Sequence, residues 1–406
     1  MAWFVSVGNL SSMVLTLLCV RHNNVSNFNL CGVIFSRKSM AAKPLTYLSC
    51  FVLLMLLAGC TRHVGHTKPT RELSSCQIIY DAGSSGTRLY VYELTAKGWL
   101  RHAGPKVGAL ADPVRENRGK SMSDARTVVM DVVEMLDNMR HDGPPGKNGQ
   151  PEWQAFGWPT RCEIGSVAVY ATGGMRLAEQ RAPQASKRIW KMLNDSLSTR
   201  LEMKVTTRTL TGFEEGFFAW LALRESRMDE NFGVAEMGGA SVQLTFLCPD
   251  CEESRQVRVK NRAVAAFSRS FEGWGQDEAW KKFSGSSACE TGAGLRDPNW
   301  HVDKCKRAMR LSADAVASIK SQLGNRRELN WYLSGAFRYR HSTDIERYCR
   351  EGMDSGFEPL TSCFRAVYQE YVLDSLGLPE NAEPTGVDWT LGAVVCAVTR
   401  CLEQLP

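Results

Sequence analysis

The chain has 406 residues, of which 44% are hydrophobic and 23% are charged. These proportions exclude an intrinsically disordered, collagen-like or polytopic membrane protein, and the length favours two domains or one large bilobal domain. Lys and Arg outnumber Asp and Glu by six, and four of these cations lie in residues 1–59, which contain no acid. The remainder is nearly neutral, which argues against a nucleic-acid-binding protein, because such proteins concentrate Lys and Arg on one face.

An export signal is predicted near the start of the chain. One lysine follows Met40, and residues 47–58 then form an apolar run that ends shortly before Cys60. About a dozen apolar residues are too few to span a bilayer core of roughly 30 Å, but they suit the hydrophobic region of an export signal. We therefore predict that residues 1–59 form a leader, with Met40 as an alternative start, and that residues 60–72 form a polar tether.

The four residues that end at Cys60 resemble a bacterial lipoprotein signal, in which this cysteine becomes the lipidated first residue. An ordinary secretory signal, cut nearby, is the alternative. Both interpretations predict an exported protein, either a bacterial lipoprotein of the periplasm, outer membrane or cell surface, or a secreted protein. A lipid on Cys60 would then be its link to a membrane.

The cysteine content agrees with export. Ten cysteines follow Cys60, and an even number can pair completely in an oxidising compartment. Close spacing predicts disulfides between Cys289 and Cys305 and between Cys349 and Cys363. The pairing of most other cysteines stays open.

The motif Cys248-Pro-Asp-Cys251 could in principle bind zinc or act as a redox dithiol. A structural zinc site needs a second ligand pair of similar spacing, and the sequence shows none. A redox dithiol is favoured at the start of a helix, whereas this motif follows a strand-like run. We predict a turn that is closed by a disulfide.

Two similar hairpins carry the residues that point to chemistry. In the first, the buried strand 77–80 runs into Asp81, the turn AGSSG and the apolar strand 89–94. In the second, the strand 232–235 runs into Glu236 and the sequence MGGASVQ, which opens another strand. The repetition indicates a duplicated lobe.

The residue types of these hairpins favour phosphate and metal binding. Small residues at a tight turn let backbone N–H groups approach a phosphate closely, and Ser or Thr hydroxyls add donors. A carboxylate would repel a phosphate, so Asp81 and Glu236 predict a cation that is bound through water. Two facing copies would hold a polyphosphate together with its divalent metal ion.

Apolar patterns and turn residues predict the remaining elements. They are, in chain order, a helix over 121–140 with Ser121 or Ser123 as its N-cap, a surface loop over 141–160, a strand over 166–170, a helix from Leu177 that Pro183 interrupts, and helices over about 308–323 and 362–376.

The sequence DAGSSGTR at 81–88 resembles the first signature of the nucleoside triphosphate diphosphohydrolases, the ecto-apyrases of the actin, hexokinase and heat-shock ATPase superfamily. Further segments resemble later motifs of that family in the same order. They are YATGGMRL at 170–177, GFEEGFFAW at 212–220, EMGGASVQ at 236–243 and DWTLGA at 388–393. Each segment alone also fits a structural element, such as a strand-to-helix turn or a buried core segment, but five in order favour the functional interpretation.

The resemblance implies two α/β lobes of ribonuclease H-like type, as in actin and hexokinase, with the active site in the cleft between them. Lobe I would comprise residues 73–211 plus 385–406, and lobe II residues 212–384. The duplicated hairpins support this arrangement independently. The expected activity is hydrolysis of nucleoside tri- and diphosphates by a monomer, with no nucleic acid as a partner.

The resemblance also assigns roles to individual residues. Phosphate binding falls to Ser84, Ser85, Gly86, Thr87 and Arg88 and to Gly238, Gly239, Ala240 and Ser241. A hydrated Mg²⁺ or Ca²⁺ ion, or alternatively Mn²⁺, falls to Asp81, Thr172, Glu215, Glu236 and Trp389. Glu215 would be the general base toward a water that Ser241 and Gln243 align, and this water would attack the terminal phosphorus in line, without a phosphoenzyme.

Base recognition is assigned to Tyr339, because WYLSGAFRY at 331–339 resembles the family segment that offers a stacking aromatic side chain. The alternative is an aromatic side chain on a strand, packed into the core. The chain departs from the family pattern at two positions. Glu236 replaces the usual Asp and carries its carboxylate one methylene further out, and Gly173 replaces the commoner Ala.

Two other functions remain open. An exopolyphosphatase or guanosine-pentaphosphate phosphatase shares the superfamily and a similar turn, but it would need a basic channel, which the nearly neutral charge disfavours. A surface nucleotide-binding lipoprotein without turnover would have no need of Glu215, Ser241 and Gln243, all of which are present.

Overall fold

The computed structural model of the protein describes residues 2–6, 13–20, 30–37, 73–115, 122–146, 148–227, 229–283, 289, 301–339, 345–351 and 359–403. The predicted apolar run of the leader, Cys60 and the tether lie outside these residues. Residues Met1–Arg71 and Glu72–Pro406 form two separate compact units. In the first unit, strands β1 (Ala2–Ser6), β2 (Met13–Val20) and β3 (Leu30–Arg37) form an antiparallel sheet.

Five strands form the first sheet of the second unit. They are β4 (Ser74–Gly83), β5 (Gly86–Thr95), β6 (Gly98–Val107), β7 (Cys162–Ala171) and β8 (Thr206–Thr209). Their spatial order is β6-β5-β4-β7-β8, with β4, β5 and β6 antiparallel and with β7 and β8 parallel to β4. The centre of β4, from Cys76 to Tyr80, is buried because both faces of the sheet are covered.

Five helices accompany this sheet. They are α1 (Asp112–Arg115), α2 (Met122–Asn138), α3 (Trp158–Arg161), α4 (Gly173–Arg181) and α5 (Pro183–Leu201). The predicted helix over 121–140 is confirmed by α2. The interruption at Pro183 is also confirmed, since this proline opens α5, where its missing N–H leaves no helical bond unmade. The predicted loop over 141–160 is confirmed for most of its length, although α3 begins inside it.

Six strands form the second sheet. They are β9 (Phe232–Met237), β10 (Ser241–Leu247), β11 (Arg255–Val259), β12 (Arg262–Glu272), β13 (Asn330–Gly335) and β14 (Glu383–Pro384). Their spatial order is β11-β12-β10-β9-β13-β14, with β13 and β14 parallel to β9. The strand predicted from residue 232 therefore lies at the centre of the second sheet, as the strand predicted from residue 77 does in the first.

The described residues of the second half form seven α-helices and two 3-10 helices. They are α6 (Gly212–Ser226), α7 (Gln276–Phe283), α8 (Val302–Ala308), α9 (Ala313–Leu323), α10 (Ile345–Glu351), α11 (Pro359–Leu376) and α12 (Trp389–Thr399), with the 3-10 helices Gly324–Glu328 and Ala336–Tyr339. The helix predicted over about 308–323 begins later, at α9, because the Ser312 hydroxyl accepts a hydrogen bond from the Ala315 amide and caps it. None of the helices in the described ranges is long and apolar enough to cross a membrane.

The two sheets share one topology, which confirms the prediction of two α/β lobes. In each sheet a central strand, β4 or β9, pairs antiparallel with the next strand through a glycine-rich turn and pairs parallel with a later strand. Strands β6 and β12 extend the antiparallel side, and β8 and β14 extend the parallel side. In the second lobe β11 adds an outer strand next to β12.

Helices α6 and α12 pack against each other between the two sheets. Gly392 of α12 lies so close to the backbone carbonyl of Phe218 that a Cβ at this glycine would collide with it. The hydrophobic cluster around these helices combines Ile79 and Tyr92 of the first sheet with Phe232 of the second. The lobes therefore share a core, and the turns that follow β4 and β9 can approach each other. The predicted boundaries between the lobes, after residue 211 and after residue 384, stay a prediction.

Five disulfides join cysteines of the described residues. They are Cys76–Cys162, Cys248–Cys251, Cys289–Cys305, Cys349–Cys363 and Cys396–Cys401. The three predicted disulfides are confirmed. Cys76–Cys162 could not be derived from spacing, because it joins neighbouring strands β4 and β7 that lie far apart in the chain. Cys396–Cys401, whose cysteines are close in the chain, was among the pairings left open.

Candidate active site

The two glycine-rich turns lie against each other. We call residues 84–88 loop I and residues 238–241 loop II. The hydroxyl of Ser84 lies so close to Gly239 that any side chain at this glycine would collide with it. The predicted phosphate-binding residues of both hairpins are therefore brought together, as two anion-binding turns that share one substrate require.

Each hairpin places an acid and its cross-strand neighbour at equivalent positions. Asp81 lies opposite Arg88 in the β4–β5 ladder, with 3.9 Å between a carboxylate oxygen and a guanidinium nitrogen. Glu236 lies opposite Gln243 in the β9–β10 ladder. Since an amide carries no charge, Gln243 cannot neutralise Glu236, and the acid of the second lobe depends on a cation from elsewhere.

Helix α4 begins between the two loops. Its N-cap is the buried Thr172, and its first two residues are Gly173 and Gly174. A Cβ on Gly174 would lie 2.9 Å from Ser84 Cα, and a Cβ on Gly173 would lie 2.6 Å from the Ser241 hydroxyl oxygen. Alanine, the commoner residue of the family pattern at 173, would therefore displace Ser241. The two glycines let the N-terminus of the helix, which favours anions, approach both loops.

The first turn of helix α6 holds Glu215. The N-cap Thr211 accepts a hydrogen bond on its hydroxyl from the Glu214 amide at 3.2 Å, and its own amide donates to the Glu214 carboxylate at 2.8 Å. This reciprocal capping box satisfies two backbone donors that the start of a helix leaves unpaired. The next residue in the chain, Glu215, is thereby fixed on the face that points into the protein.

Two glycines let α6 approach the second sheet closely. A Cβ on Gly212 would collide with Ser270, and a Cβ on Gly216 would collide with the Ser268 hydroxyl. The helix backbone can lie directly against Ser268 and Ser270 of β12 only because the two glycines carry no side chains. The close approach carries Glu215, which lies between these glycines, to the side chains of β10.

The three predicted catalytic residues form one hydrogen-bonded cluster. The Glu215 side chain is 3% exposed, and its Oε2 accepts hydrogen bonds from Arg176 Nη1 at 2.8 Å and from Gln243 Nε2 at 3.1 Å. Gln243 Nε2 also lies 2.8 Å from the Ser241 hydroxyl oxygen. Gln243 Oε1 is buried and has no hydrogen-bond partner among the described residues, so it can accept a hydrogen from a water molecule.

The sequence reasoning assigned no role to Arg176, which the structure places at the centre of this cluster. Besides Glu215, its guanidinium donates to Glu272 Oε1 at 2.7 Å and to the Ser241 hydroxyl oxygen at 3.1 Å. Its side chain is 12% exposed. Its position within YATGGMRL was the available signal, but its partners lie on other elements far along the chain, so spacing did not identify them.

The site concentrates acids that resist ionisation. Burial raises the pKa of Asp81 to about 7, an effect that Arg88 opposes. Burial, together with the charges of Glu215 and Asp81, raises the pKa of Glu236 well above its ordinary value. Burial also raises the pKa of Glu215, although Arg176 opposes the rise. Acids that raise one another's pKa gain most from a bound cation, which stabilises their ionised forms.

These acids fit a hydrated cation better than a directly ligated one. Within the described ranges, no three His, Cys, Asp or Glu side chains lie close enough together to ligate a metal ion. Glu236 Oε2 is buried and lacks a hydrogen-bond partner among the described residues, so it can accept from a metal-bound water. Divalent cations in phosphate sites keep several waters and use few carboxylates. The donor set thus suits a hard divalent ion held through water.

Trp389, which the resemblance assigns to the outer shell of the metal, is buried in the core that α6 and α12 share. The residue before it, Asp388, caps α12 by accepting from the Thr390 amide at 3.1 Å and pairs with Arg101 at 2.6 Å. Asp388 also raises the pKa of Asp81, after burial, and so adds a carboxylate near loop I that the sequence reasoning missed. A role for Trp389 at the metal stays a prediction.

Tyr339 lies on the 3-10 helix after β13 and is 59% exposed. Because Gly335 of β13 lies opposite Met237 of β9, this helix leaves the sheet at the same edge as loop II. The Arg338 guanidinium lies 4.4 Å from the centre of the tyrosine ring. The neighbouring Phe337, rather than Tyr339, packs into the core.

Comparison with known proteins agrees with these features. The sequence profile of the GDA1/CD39 (nucleoside phosphatase) family matches residues 160–351. Ectonucleoside triphosphate diphosphohydrolase 1 of Mus musculus is 24% identical over 281 residues, which cover 61% of this chain and 49% of that protein. Nucleoside-triphosphatase ntp-1 of Caenorhabditis elegans is 27% identical over 252 residues, which cover 55% and 43%.

The chain resembles the GDA1/CD39 family over residues 160–351, just under half of its length. It matches about half the length of these curated relatives. The range that the family profile matches includes α4, α6, loop II and β13, whereas Asp81, loop I and Trp389 lie outside it.

Two solved structures also resemble this chain. A Ppx/GppA protein of Aquifex aeolicus has a TM-score of 0.46 at 13% identity and covers 80% of this chain and 98% of its own. Nucleoside triphosphate hydrolases of Neospora caninum have a TM-score of 0.44 at 14% identity and cover 88% and 97%.

Proposed function

We propose that the protein is a divalent-metal-dependent hydrolase of nucleoside tri- and diphosphates, an apyrase. The observation that carries this proposal is the meeting of loop I, loop II and Glu215 at one buried place. Two phosphate-binding turns in contact suit a phosphate chain better than a single phosphate group. The names of the two relatives, an ectonucleoside triphosphate diphosphohydrolase of Mus musculus and a nucleoside-triphosphatase of Caenorhabditis elegans, support the same chemistry.

In the proposed reaction a water molecule attacks the terminal phosphorus in line with the leaving nucleotide oxygen. The new P–O bond forms as the bond from the terminal phosphorus to the bridging oxygen of the leaving nucleoside di- or monophosphate breaks, and one proton of the water passes to Glu215. Since Arg176 and Gln243 both donate to Oε2, we assign the proton to Oε1. The Ser241 hydroxyl and the Gln243 carbonyl oxygen orient the water. Positioning and charge neutralisation then supply most of the rate.

The acids Asp81 and Glu236 would hold the metal ion through its waters, with Thr172 and Glu215 alongside. A bound Mg²⁺, Ca²⁺ or Mn²⁺ ion neutralises charge on the phosphate oxygens. Asp81 lies on β4, before loop I, and Glu236 lies on β9, before loop II, so each lobe would contribute one of the two carboxylates. The extra methylene of Glu236, relative to the usual Asp, carries its carboxylate about one bond length further from the backbone of β9.

We further propose that Tyr339 stacks on the nucleotide base. Its exposed ring lies at the sheet edge from which loop II also emerges. The neighbouring Arg338 covers one side of the ring, and the base would stack on the other.

The purified full chain is expected to release phosphate from both ATP and ADP when Mg²⁺ or Ca²⁺ is present, with Mn²⁺ tested alongside. Removal of the metal by EDTA is expected to abolish release, because the acids at the site would otherwise repel the substrate. The measurement is inorganic phosphate over time, with each nucleotide and with long-chain polyphosphate at equal phosphate concentration.

Two results would contradict the proposal. Faster release from polyphosphate than from either nucleotide would identify an exopolyphosphatase. Metal-dependent nucleotide binding without any release would identify a surface nucleotide-binding protein.

We propose that the chain is exported and carries a lipid on Cys60. The five disulfides among the described residues support an oxidising compartment. Metabolic labelling with palmitate in a bacterial host is expected to label the parent protein and Cys50→Ala but not Cys60→Ala. A parent protein without label would refute lipidation.

A further inference from the structure

Lys106, a lysine outside the five signature motifs, lies in the same cross-strand row as Asp81, the acid that precedes loop I. Lys106 of β6 lies opposite Arg88, and Arg88 lies opposite Asp81, so the three residues form one row across three strands. Neighbours in such a row project from the same face of a sheet. Lys106 therefore shares the face on which the acid and the cation of the first hairpin lie.

The side chain of Lys106 lies over loop I. A Cβ on Gly86 would be 2.7 Å from the lysine Cε and 3.6 Å from its Cγ. Gly86 has φ +142°, a conformation that residues with side chains rarely adopt. Because this glycine has no Cβ, the side chain of Lys106 has room to pass over it. The ammonium group, which is bonded to Cε, thus stands at the edge of the turn, where a bound phosphate would present its oxygens.

The second lobe approaches the same ammonium through Asp277, in the first turn of α7. The Asp277 backbone amide donates to the Gly239 carbonyl at 2.8 Å, and its carboxylate lies directly against this glycine of loop II. The carboxylate also accepts from Arg365 at 2.9 Å and acts electrostatically on Lys106. Lys106 consequently lies near the place where loop I and loop II meet.

Without a substrate, Lys106 is in an unfavourable electrostatic position. The lysine side chain is exposed, but partial desolvation and, next, the neighbouring Arg88 lower its pKa, an effect that Asp277 and Asp81 oppose only in part. Two cations on adjacent strands repel each other, and an anion between them removes the repulsion. A phosphate group bound at loop I would be such an anion.

We propose that Lys106 is a phosphate-binding residue that holds the phosphate chain of the substrate at loop I, beside Arg88. The inference rests on the proposed function and deepens it by naming a contact outside the signature motifs. An ammonium group offers three donors to non-bridging phosphate oxygens and adds to the backbone donors of the turn. Since Glu215 and its hydrogen-bonded partners carry the reacting water, loss of Lys106 raises KM more than it lowers kcat.

The test is calorimetric binding of inorganic tripolyphosphate with Mg²⁺ to the purified full chain. Lys106→Gln is expected to raise the Kd about tenfold, because one charge-assisted hydrogen bond is lost. Lys106→Arg keeps the charge and is expected to stay within about threefold of the parent Kd. The matched control is Lys97→Gln, the same change at an exposed lysine at the other end of the same hairpin, which is expected to keep the parent Kd.

An unchanged Kd in Lys106→Gln would overturn the inference, and so would a parent protein that does not bind tripolyphosphate. A second variant separates phosphate binding from a mere counterion role. Asp277→Asn is expected to tighten binding, since it removes a negative charge and frees the ammonium. If Asp277→Asn weakens binding as much as Lys106→Gln does, Lys106 serves only as the counterion of Asp277.

Failure of the proposed function has a different outcome. If the chain binds tripolyphosphate through Lys106 but releases no phosphate from nucleotides, the proposed phosphate contact of Lys106 stands and the proposed hydrolase activity is refuted.

Discussion

Replacing Glu215 by glutamine is expected to lower turnover of ATP by about a hundred- to ten-thousandfold, which is the usual contribution of a general base. Glutamine has nearly the same shape and can still accept a hydrogen bond from Arg176, but it cannot take a proton from water. Nucleotide binding is expected to survive, because the phosphate loops belong to other elements. Steady-state kinetics and binding of a non-hydrolysable nucleotide analogue measure the two effects separately.

The matched control is Glu214→Gln, the same change one residue earlier on the same helix. Glu214 pairs with Arg208 and caps α6, so its loss touches the helix end and leaves the cluster around Gln243 alone. This control is expected to keep most of the turnover. Comparable losses in both variants would show that the damage comes from the helix, and a Glu215→Gln protein with nearly parental turnover would show that another group is the base.

Replacing Arg176 by methionine is expected to lower both stability and turnover. The change leaves Glu215 without its cation in a buried place, and removing one partner of a buried ion pair typically costs about 3–5 kcal/mol. It also releases Ser241 and Glu272, which the same guanidinium holds. Thermal or urea unfolding measures the first effect, and the dependence of kcat on pH measures the second. With the cation gone, the pKa of Glu215 rises, and the acidic limb of the pH–activity profile, along which the base loses its proton, moves to higher pH.

Arg208→Met provides the comparison for Arg176. Arg208 also holds a glutamate of α6 through two hydrogen bonds, of 2.9 and 2.7 Å, but its side chain is 39% exposed. Exposed pairs contribute only about 0–1 kcal/mol, so this variant is expected to stay close to the parent in stability and pH profile. Equal behaviour of the two arginine variants would mean that the buried network has no special role.

The duplicated hairpins were predictable because each consists of a short apolar strand, an acid and a run of small residues that follow one another in the chain. Their strand pairing is local, and the order of the signature motifs added the expectation that the two copies face each other. Glu215, Ser241 and Gln243 could be named for the same reason, since each lies inside a recognisable motif. Their hydrogen bonds to one another required the structure.

The partners of Arg176, Asp277 and Lys106 could not be read from the sequence. Arg176 acts across the boundary between the two lobes, whereas Lys106 and Asp277 contact the glycine-rich turn of their own lobe from another element. No periodicity links Arg176 to Glu272 or Lys106 to Gly86, because the contacts arise from strand register and from missing side chains. The later start of α9 was missed for a smaller reason, which is that a capping serine can restart a helix within an apolar pattern.

The two glycines on the sheet-facing side of α6, Gly212 and Gly216, affect how Glu215, the proposed general base, is held in position. A carboxylate at the end of a long, loosely packed side chain would have to be immobilised anew for each substrate. Here Gly212 and Gly216 seat the helix backbone directly on the serine row of β12, so folding itself settles where Glu215 points. If Glu215 is the base, as proposed, a nucleotide substrate would meet a carboxylate that is already immobilised, and less of its binding energy would be used to order the protein.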